Sequence, residues 1–140
     1  MKTCKPLLKK RLNAYTLTEI LVVLVIIGIL VLLALPNLMP LITKAKSTEA
    51  KVQLEHIQTL EKNFFYEHSK YSKDITEIGF VQEALSTSTN GRANYQITIT
   101  DATNVSFTAR ATAVVDFNGN GVFNVWEIDQ DKNLKEVTPD

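Results

Sequence analysis

The segment from Ile20 to Leu35 reads ILVVLVIIGILVLLAL, sixteen apolar residues in succession. Counted from Tyr15 the stretch has 21 residues, and as an α-helix it would be about 30 Å long, the thickness of a bilayer's hydrocarbon core. Residues 1–14 carry five basic side chains and no acidic one. The positive-inside rule therefore predicts a membrane-inserted helix with residues 1–14 in the cytoplasm and the chain after Pro36 outside.

Charge is distributed unevenly along the chain. The whole sequence has 15 basic and 15 acidic residues, and removing the five basic residues of the first fourteen leaves ten basic against fifteen acidic, a formal charge of about −5. This acidic body lacks the basic stripe that nucleic-acid phosphates require, so no nucleic acid is expected as a partner. Cys4 is the only cysteine, so without residues 1–14 the protein has neither a disulfide nor a thiolate metal site.

Three interpretations of the apolar segment compete. A secretory signal peptide would have a small-residue cleavage site behind the apolar run, and the sequence Leu-Ala-Leu-Pro at residues 33–36 is a poor one. A permanent single-pass anchor would need no further feature. A processed, assembling helix is the third interpretation, and it is the one that accounts for the acidic residue at the start of the run.

That acidic residue is Glu19, the only acidic or basic side chain between Arg11 and Lys44. A carboxylate inside a membrane costs roughly 2.5–3.5 kcal/mol and so indicates a function with a specific partner. A cut between Ala14 and Tyr15 would create an α-amino group four residues before Glu19, one helical turn away on the same face. The same amine on a neighbouring subunit could neutralise Glu19 as helices stack, and a misaligned helix would leave the carboxylate unpaired.

Residues 14–24, AYTLTEILVVL, resemble the N-terminal signal of type IV prepilins and of the pseudopilins of type II secretion. That family has a short basic leader, a small residue before the cut, an aromatic residue after it, then Thr-Leu-x-Glu and an apolar helix. The resemblance implies that a prepilin peptidase cleaves after Ala14 and N-methylates Tyr15, and that Glu19 is the assembly glutamate. Three residues depart from the usual pattern, since Ala14 replaces a glycine, Tyr15 a phenylalanine and Thr18 an aliphatic residue.

The resemblance also implies partners and a location. The partners would be identical and related pilin subunits, the peptidase, an inner-membrane assembly platform and the lipid bilayer. The subunit would first be a single-pass inner-membrane protein and then part of a periplasmic or surface filament. The chain is thus divided into a basic leader (residues 1–14), a transmembrane and assembly helix (residues 15–37) and a periplasmic or extracellular domain (residues 38–140).

The domain after the membrane is expected to be α+β, a long helix packed on an antiparallel sheet of three to four strands. Up to about Tyr71 apolar residues recur at helical spacing, with charged residues such as Glu55 and Glu61 on the other faces; the apolar stripe comprises Ala50, Leu54, Ile57, Leu60 and Phe64. Pro36 and Pro40 should kink or loosen this helix. From Ala93 the apolar period becomes two, which predicts strands at about 95–99, 105–113, 122–129 and 134–137.

An acidic loop between the second and third predicted strands matches the pattern D-x-[DN]-x-[DN]-G-x5-E of calcium-binding loops. Oxygen ligands at alternate positions can surround Ca²⁺, and a backbone carbonyl can add one more; the candidate ligands are Asp116, Asn118, Asn120, the Val122 carbonyl and Glu127. Asn-Gly pairs are equally good turn formers, and strands flank the loop where an EF-hand has helices. A calcium site and a simple hairpin connection therefore stay open as alternatives.

Enzymatic activity is not expected, because the sequence has no nucleophile-and-base signature, phosphate loop or zinc motif. The function indicated is a structural subunit of a type IV pilus-like helical filament, either a type II secretion pseudopilin or a type IV pilin. The alternative is a permanently membrane-anchored, calcium-binding interaction module, which would keep residues 1–14. A pilin that binds DNA or a host surface would need a basic or aromatic patch, and Lys and Arg are only scattered here.

Overall fold

The structure, a computed structural model, describes residues 15–140. One α-helix, α1 (Leu17–His68), precedes four strands, β1 (Tyr95–Ala102), β2 (Phe107–Ala113), β3 (Val125–Asp129) and β4 (Leu134–Thr138). Packing divides the described chain into a first unit that ends at Pro36 and a second unit, Asn37–Asp140. The predicted α+β class is confirmed, with four strands in the sheet.

Helix α1 comprises both the predicted membrane helix and the predicted amphipathic stretch. It is helical through both Pro36 and Pro40, although each proline lacks the N–H that would bond to the carbonyl four residues earlier. It ends at His68, where Ser69 has a positive φ of 55° and its amide donates to the Phe65 carbonyl. This left-handed residue closes the helix about three residues earlier than the periodicity predicted.

The sheet is antiparallel throughout and its strands lie in chain order, β1-β2-β3-β4. The alternating faces of β1 and β2 have the predicted period of two, and every second side chain is buried, in β1 as far as Ile99. The β1–β2 register shifts between Ile99 and Asp101, so a bulge interrupts β1 near its end. The third strand starts at Val125 and not at Val122, because the preceding loop has a hydrogen-bonded structure of its own.

The core lies between the sheet and the second half of α1. The helix contributes Ala50, Leu54 and Ile57, all completely buried, and Leu60 and Phe64 pack against the same cluster, which confirms the predicted stripe. The facing positions of β2 are small and permit close approach of the helix; they are Ala109, Ala111 and Ala113. At the edge of the contact the Lys51 ammonium lies 4.3 Å from the Trp126 ring centroid, a cation–π geometry.

The connector between α1 and β1 is held by side-chain amides and carboxylates. Glu49 on α1 accepts the Asn94 amide at 2.8 Å and its side-chain NH₂ at 2.7 Å. The Gln82 side chain accepts the Ile97 amide and donates to the Tyr95 carbonyl, so it takes the place of a neighbouring strand at the edge of β1. At Gly91 an added Cβ would lie 1.7 Å from the Leu85 carbonyl oxygen, so only glycine fits this turn.

Candidate assembly surface

The apolar side chains of α1 in the first unit are exposed in the described part of the chain. From Ile20 to Leu35 every large apolar side chain is at least 46% exposed, and α1 is long and apolar enough over this part to cross a membrane. Soluble monomers rarely expose a continuous apolar surface of this size to water. A bilayer or apolar helices of other protein copies are the surroundings that suit it.

At the start of α1, Thr16 and Glu19 form a reciprocal cap. Glu19 Oε2 accepts the Thr16 amide at 2.7 Å and the Thr16 hydroxyl at 3.0 Å, while the Glu19 amide donates to Thr16 Oγ1 at 3.3 Å. This is a capping box, in which the first and fourth residues satisfy each other's free backbone groups. Sequence reasoning assigned Glu19 only to pairing with a Tyr15 amine, of its own chain or of a neighbouring subunit, although Thr-x-x-Glu before an apolar run is itself a capping signal.

The predicted cleavage site is only partly within the described chain. Ala14 lies outside the described residues, and Tyr15 is 81% exposed directly ahead of the cap. Because Glu19 already contacts the amide of Thr16, its carboxylate lies one residue from the nitrogen that cleavage would convert to an amine. Cleavage after Ala14, methylation of Tyr15 and pairing of the amine with Glu19 stay predictions.

In the second unit, the outward face of α1 carries an exposed stripe that sequence reasoning missed. Leu41, Ala45, Thr48 and Val52 recur at spacings of four, three and four, and Leu41 and Val52 are 61% and 62% exposed. None of these four positions, which we call the outer stripe, carries a charged side chain. Residues at this spacing form a seam that a second helix can pack against. The same period that revealed the buried stripe would have revealed this one.

The predicted calcium loop is ordered by its own backbone amides. Asp116 Oδ1 accepts the Asn118 and Gly119 amides at 3.2 and 2.6 Å, and Oδ2 accepts the Gly121 amide at 2.6 Å. These hydrogen bonds to its charged form lower the pKa of Asp116. The next two ligand candidates behave alike: Asn118 Oδ1 accepts the Asn120 amide, and Asn120 Oδ1 accepts the Val122 amide.

Glu127, the last predicted ligand, is engaged elsewhere. It lies in β3 and is 8% exposed, and its Oε1 accepts from Arg110 Nε at 2.8 Å while Lys135 Nζ lies 3.8 Å from Oε2. Arg110 and Lys135 are its direct partners on the two neighbouring strands. Among residues 15–140 no three His, Cys, Asp or Glu side chains form a metal-binding group. Calcium binding would therefore depend on the Asp116 carboxylate together with amide and carbonyl oxygens, and it stays a prediction.

A buried carboxyl group on α1 contradicts the predicted charged face. The Glu61 side chain is completely buried; Oε2 accepts the Ser72 amide at 3.1 Å, and Oε1 has no partner among the described residues. Burial raises its pKa, and the Ser72 hydrogen bond opposes this only partly. The expectation that Glu61 lies on another face than the buried stripe was wrong: it lies four residues after Ile57, on the same face, and the connector folds back over this turn of the helix.

Comparison with known proteins agrees with this architecture. Residues 36–121 match the family model described as type IV minor pilin ComP, DNA uptake sequence receptor, and residues 9–35 match the prokaryotic N-terminal methylation motif. The type IV major pilin protein PilA of Myxococcus xanthus (strain DK1622) is 41% identical over 73 residues, which are 52% of this chain and 33% of that protein. The chain thus spans about a third of the length of this curated relative.

The first of these matches covers more than half of the chain, and the chain belongs to the type IV pilin family. The expectation drawn from residues 14–24 is confirmed at the level of the family. This is a family of structural subunits, in which an apolar N-terminal helix anchors the subunit in a membrane and packs in a filament.

Proposed function

We propose that this type IV pilin is the repeating subunit of a surface pilus and not of a secretion pseudopilus. Both named matches are pilins of type IV pili, one major and one minor, and this supports the pilus over the pseudopilus. The observation that carries the assembly role is the uncovered apolar surface from Ile20 to Leu35.

The hydrophobic energy of this surface explains how one helix can serve in two environments. Burying a large aliphatic side chain gains about 1.5–3 kcal/mol, and lipid tails and neighbouring apolar helices supply that burial about equally. Transfer from bilayer to filament is therefore nearly neutral in hydrophobic free energy. Polar groups and close helix packing must then select the register.

Two features of α1 provide that selection. Glu19 is the one carboxylate in the apolar part, and a neighbouring subunit whose Tyr15 amine is out of register would leave it without a cationic partner. In the second unit the outer stripe offers small and apolar side chains to an adjacent helix. We propose that a peptidase first frees the Tyr15 amine by cutting after Ala14, and that the amine methyl group is added next.

The capping box adds a second role to Glu19, and two substitutions separate the roles. Glu19→Gln keeps an oxygen that can accept the Thr16 amide but loses the charge, whereas Glu19→Ala loses both. If charge pairing selects the register, neither variant forms filaments, although both insert into the membrane and are cleaved. Normal filaments from Glu19→Gln would show that capping suffices, and normal filaments from Glu19→Ala would overturn the role of Glu19 in assembly.

The processing step is tested by mass spectrometry of the protein extracted from membranes and from filaments. The filament subunit should begin at methylated Tyr15. A filament built from chains that retain residues 1–14 would contradict the proposal. Chains that retain the leader, form no filament and bind calcium as monomers would instead support the permanently anchored calcium-binding module.

DNA binding is stated in the description of the minor pilin family model, and we do not extend it to this chain. The matched residues, 36–121, contain eight basic and nine acidic side chains, a formal charge of −1. One of the basic groups, Arg110, is engaged by Glu127. Since phosphate contacts supply most of the affinity for DNA, we propose that nucleic acid is not its ligand. Salt-sensitive retention of DNA by purified filaments would contradict this.

A further inference from the structure

The acidic loop contains two of the chain's three Asn-Gly pairs. These are Asn118-Gly119 and Asn120-Gly121, and the third, Asn90-Gly91, lies in the connector. In such a pair the glycine amide nitrogen, after losing its proton, attacks the asparagine Cγ; the side-chain amide leaves as ammonia and a succinimide ring forms. Water then opens the ring to aspartate or isoaspartate. Glycine favours this reaction because it has no side chain to hinder the attack.

The attacking nitrogens of both loop pairs are bound by one carboxylate. The Gly119 amide donates to Asp116 Oδ1 and the Gly121 amide to Oδ2, each at 2.6 Å. At Gly91, by contrast, the amide donates to the backbone carbonyl of Ser88 at 3.1 Å. Hydrogen bonds to a charged acceptor are shorter and roughly twice as strong as neutral ones.

The electrophilic side chains of the two pairs are restrained as well. Asn118 Oδ1 accepts the Asn120 amide at 2.8 Å, and Asn120 Oδ1 accepts the Val122 amide at 2.6 Å. Both glycines are fixed at positive φ, 78° for Gly119 and 84° for Gly121. Ring closure requires the side chain and the next peptide to rotate toward each other, so it must first break these hydrogen bonds.

We propose that Asp116 protects Asn118 and Asn120 from deamidation by keeping the two glycine amide nitrogens hydrogen-bonded, so that they do not attack the asparagine Cγ atoms. One carboxylate, with one oxygen for each amide, thereby preserves a loop whose sequence is otherwise among the most easily deamidated. In this role the Asp116 carboxylate requires no metal ion, and the role does not depend on filament assembly.

The test compares the full-length protein with Asp116→Ala in detergent, in mildly alkaline buffer containing a chelator. Peptide mass spectrometry follows the conversion of each asparagine to the acid over time, and Asn90 is the reference within the same molecule. Loss of a hydrogen bond to a charged group should accelerate deamidation at Asn118 and Asn120 about tenfold relative to Asn90. Asp116→Asn, which retains one acceptor oxygen, should fall between wild type and Asp116→Ala.

Asp129→Ala is the matched control. Asp129 orders the β3–β4 turn in the same way, accepting the Asp131 and Asn133 amides at 2.9 Å, but no Asn-Gly pair depends on it. Its substitution should leave all three rates unchanged. Unchanged or slower conversion at Asn118 and Asn120 in Asp116→Ala would overturn the proposal, the slower result by indicating that the carboxylate acts as a base. Equal acceleration at Asn90 would also overturn it, since the effect would then be general unfolding.

Discussion

The two halves of α1 are one continuous helix with opposite distributions of apolar side chains. Up to Leu35 the apolar residues cover the whole circumference and all of them are exposed. From Thr43 onward they are restricted to two faces, one buried on the sheet and one exposed as the outer stripe. A helix that is apolar all round is buried in lipid or among other helices, whereas an amphipathic helix packs its apolar face against its own domain. The second half is thus specified by the folding of its own domain, and the proposed assembly role rests on the exposed apolar side chains of the first half and on the outer stripe.

The largest expected effect is on the free energy of unfolding, and it distinguishes the buried face of the second half of α1 from the exposed face. Leu54→Ala removes a fully buried side chain and should lower the free energy of unfolding by about 2–5 kcal/mol. Val52→Ala, two residues away and 62% exposed, should change it by less than about 0.5 kcal/mol yet weaken filament assembly. Denaturant unfolding and filament yield measure the two effects, and assembly unaffected by Val52→Ala would remove the outer stripe from the interface.

The sequence was sufficient for the fold wherever a local period determines the structure. The buried stripe of α1 and the alternation of β1 and β2 needed no long-range information. The burial of Glu61 follows from the same period, since it lies four residues after Ile57, but its hydrogen bond to the Ser72 amide did need long-range information. Glu127 was assigned to the calcium loop from the spacing within one segment. Its pairing with Arg110 follows from the β2–β3 register, which that spacing cannot predict.

Calcium tests whether the acidic loop is a site or a connection. If Ca²⁺ binds through Asp116, Asn118, Asn120 and the Val122 carbonyl, a concentration of a hundred times the Kd should stabilise the protein by about 2.7 kcal/mol. The melting temperature of the full-length protein would rise with Ca²⁺ and return with a chelator, and Asp116→Ala would abolish the change. A melting temperature that does not respond to Ca²⁺ would leave the loop as a hydrogen-bonded connection between strands.

Glu61 makes the stability of the second unit depend on pH. Its pKa is raised above the usual 4.5 by burial, so the folded state binds this proton more tightly than the unfolded state does. The resulting stability is complete below about pH 4.5 and is lost as the pH rises through the folded-state pKa. Glu61→Gln stays neutral and can still accept the Ser72 amide, so its advantage in melting temperature over wild type should grow with pH.

The matched control for that measurement is Glu55→Gln, an exposed carboxylate on the same helix. Its melting temperature should follow that of the wild-type protein across the pH range. A parallel pH profile for Glu61→Gln and wild type would contradict the assignment of a raised pKa to Glu61. The comparison also reports on the second unit, since Glu61 and its hydrogen-bond partner Ser72 both lie within it.

The smallest expected effect is at the opposite end of α1, in the cap. Thr16→Ala removes the hydroxyl that accepts the Glu19 amide, and loss of an N-cap side chain costs about 1 kcal/mol. The charge of Glu19 is unchanged, so membrane insertion and pairing with a neighbouring amine should persist, and filaments should form with a helix that begins less firmly. Hydrogen exchange in the first turn of α1 would measure this, with Thr59→Ala as control, since the Thr59 hydroxyl donates to the Glu55 carbonyl in the second unit and lies outside the outer stripe. If Thr16→Ala abolished filaments as completely as Glu19→Ala, capping and not charge would be the main contribution of Glu19, and the first half of α1 would depend on local folding as the second half does.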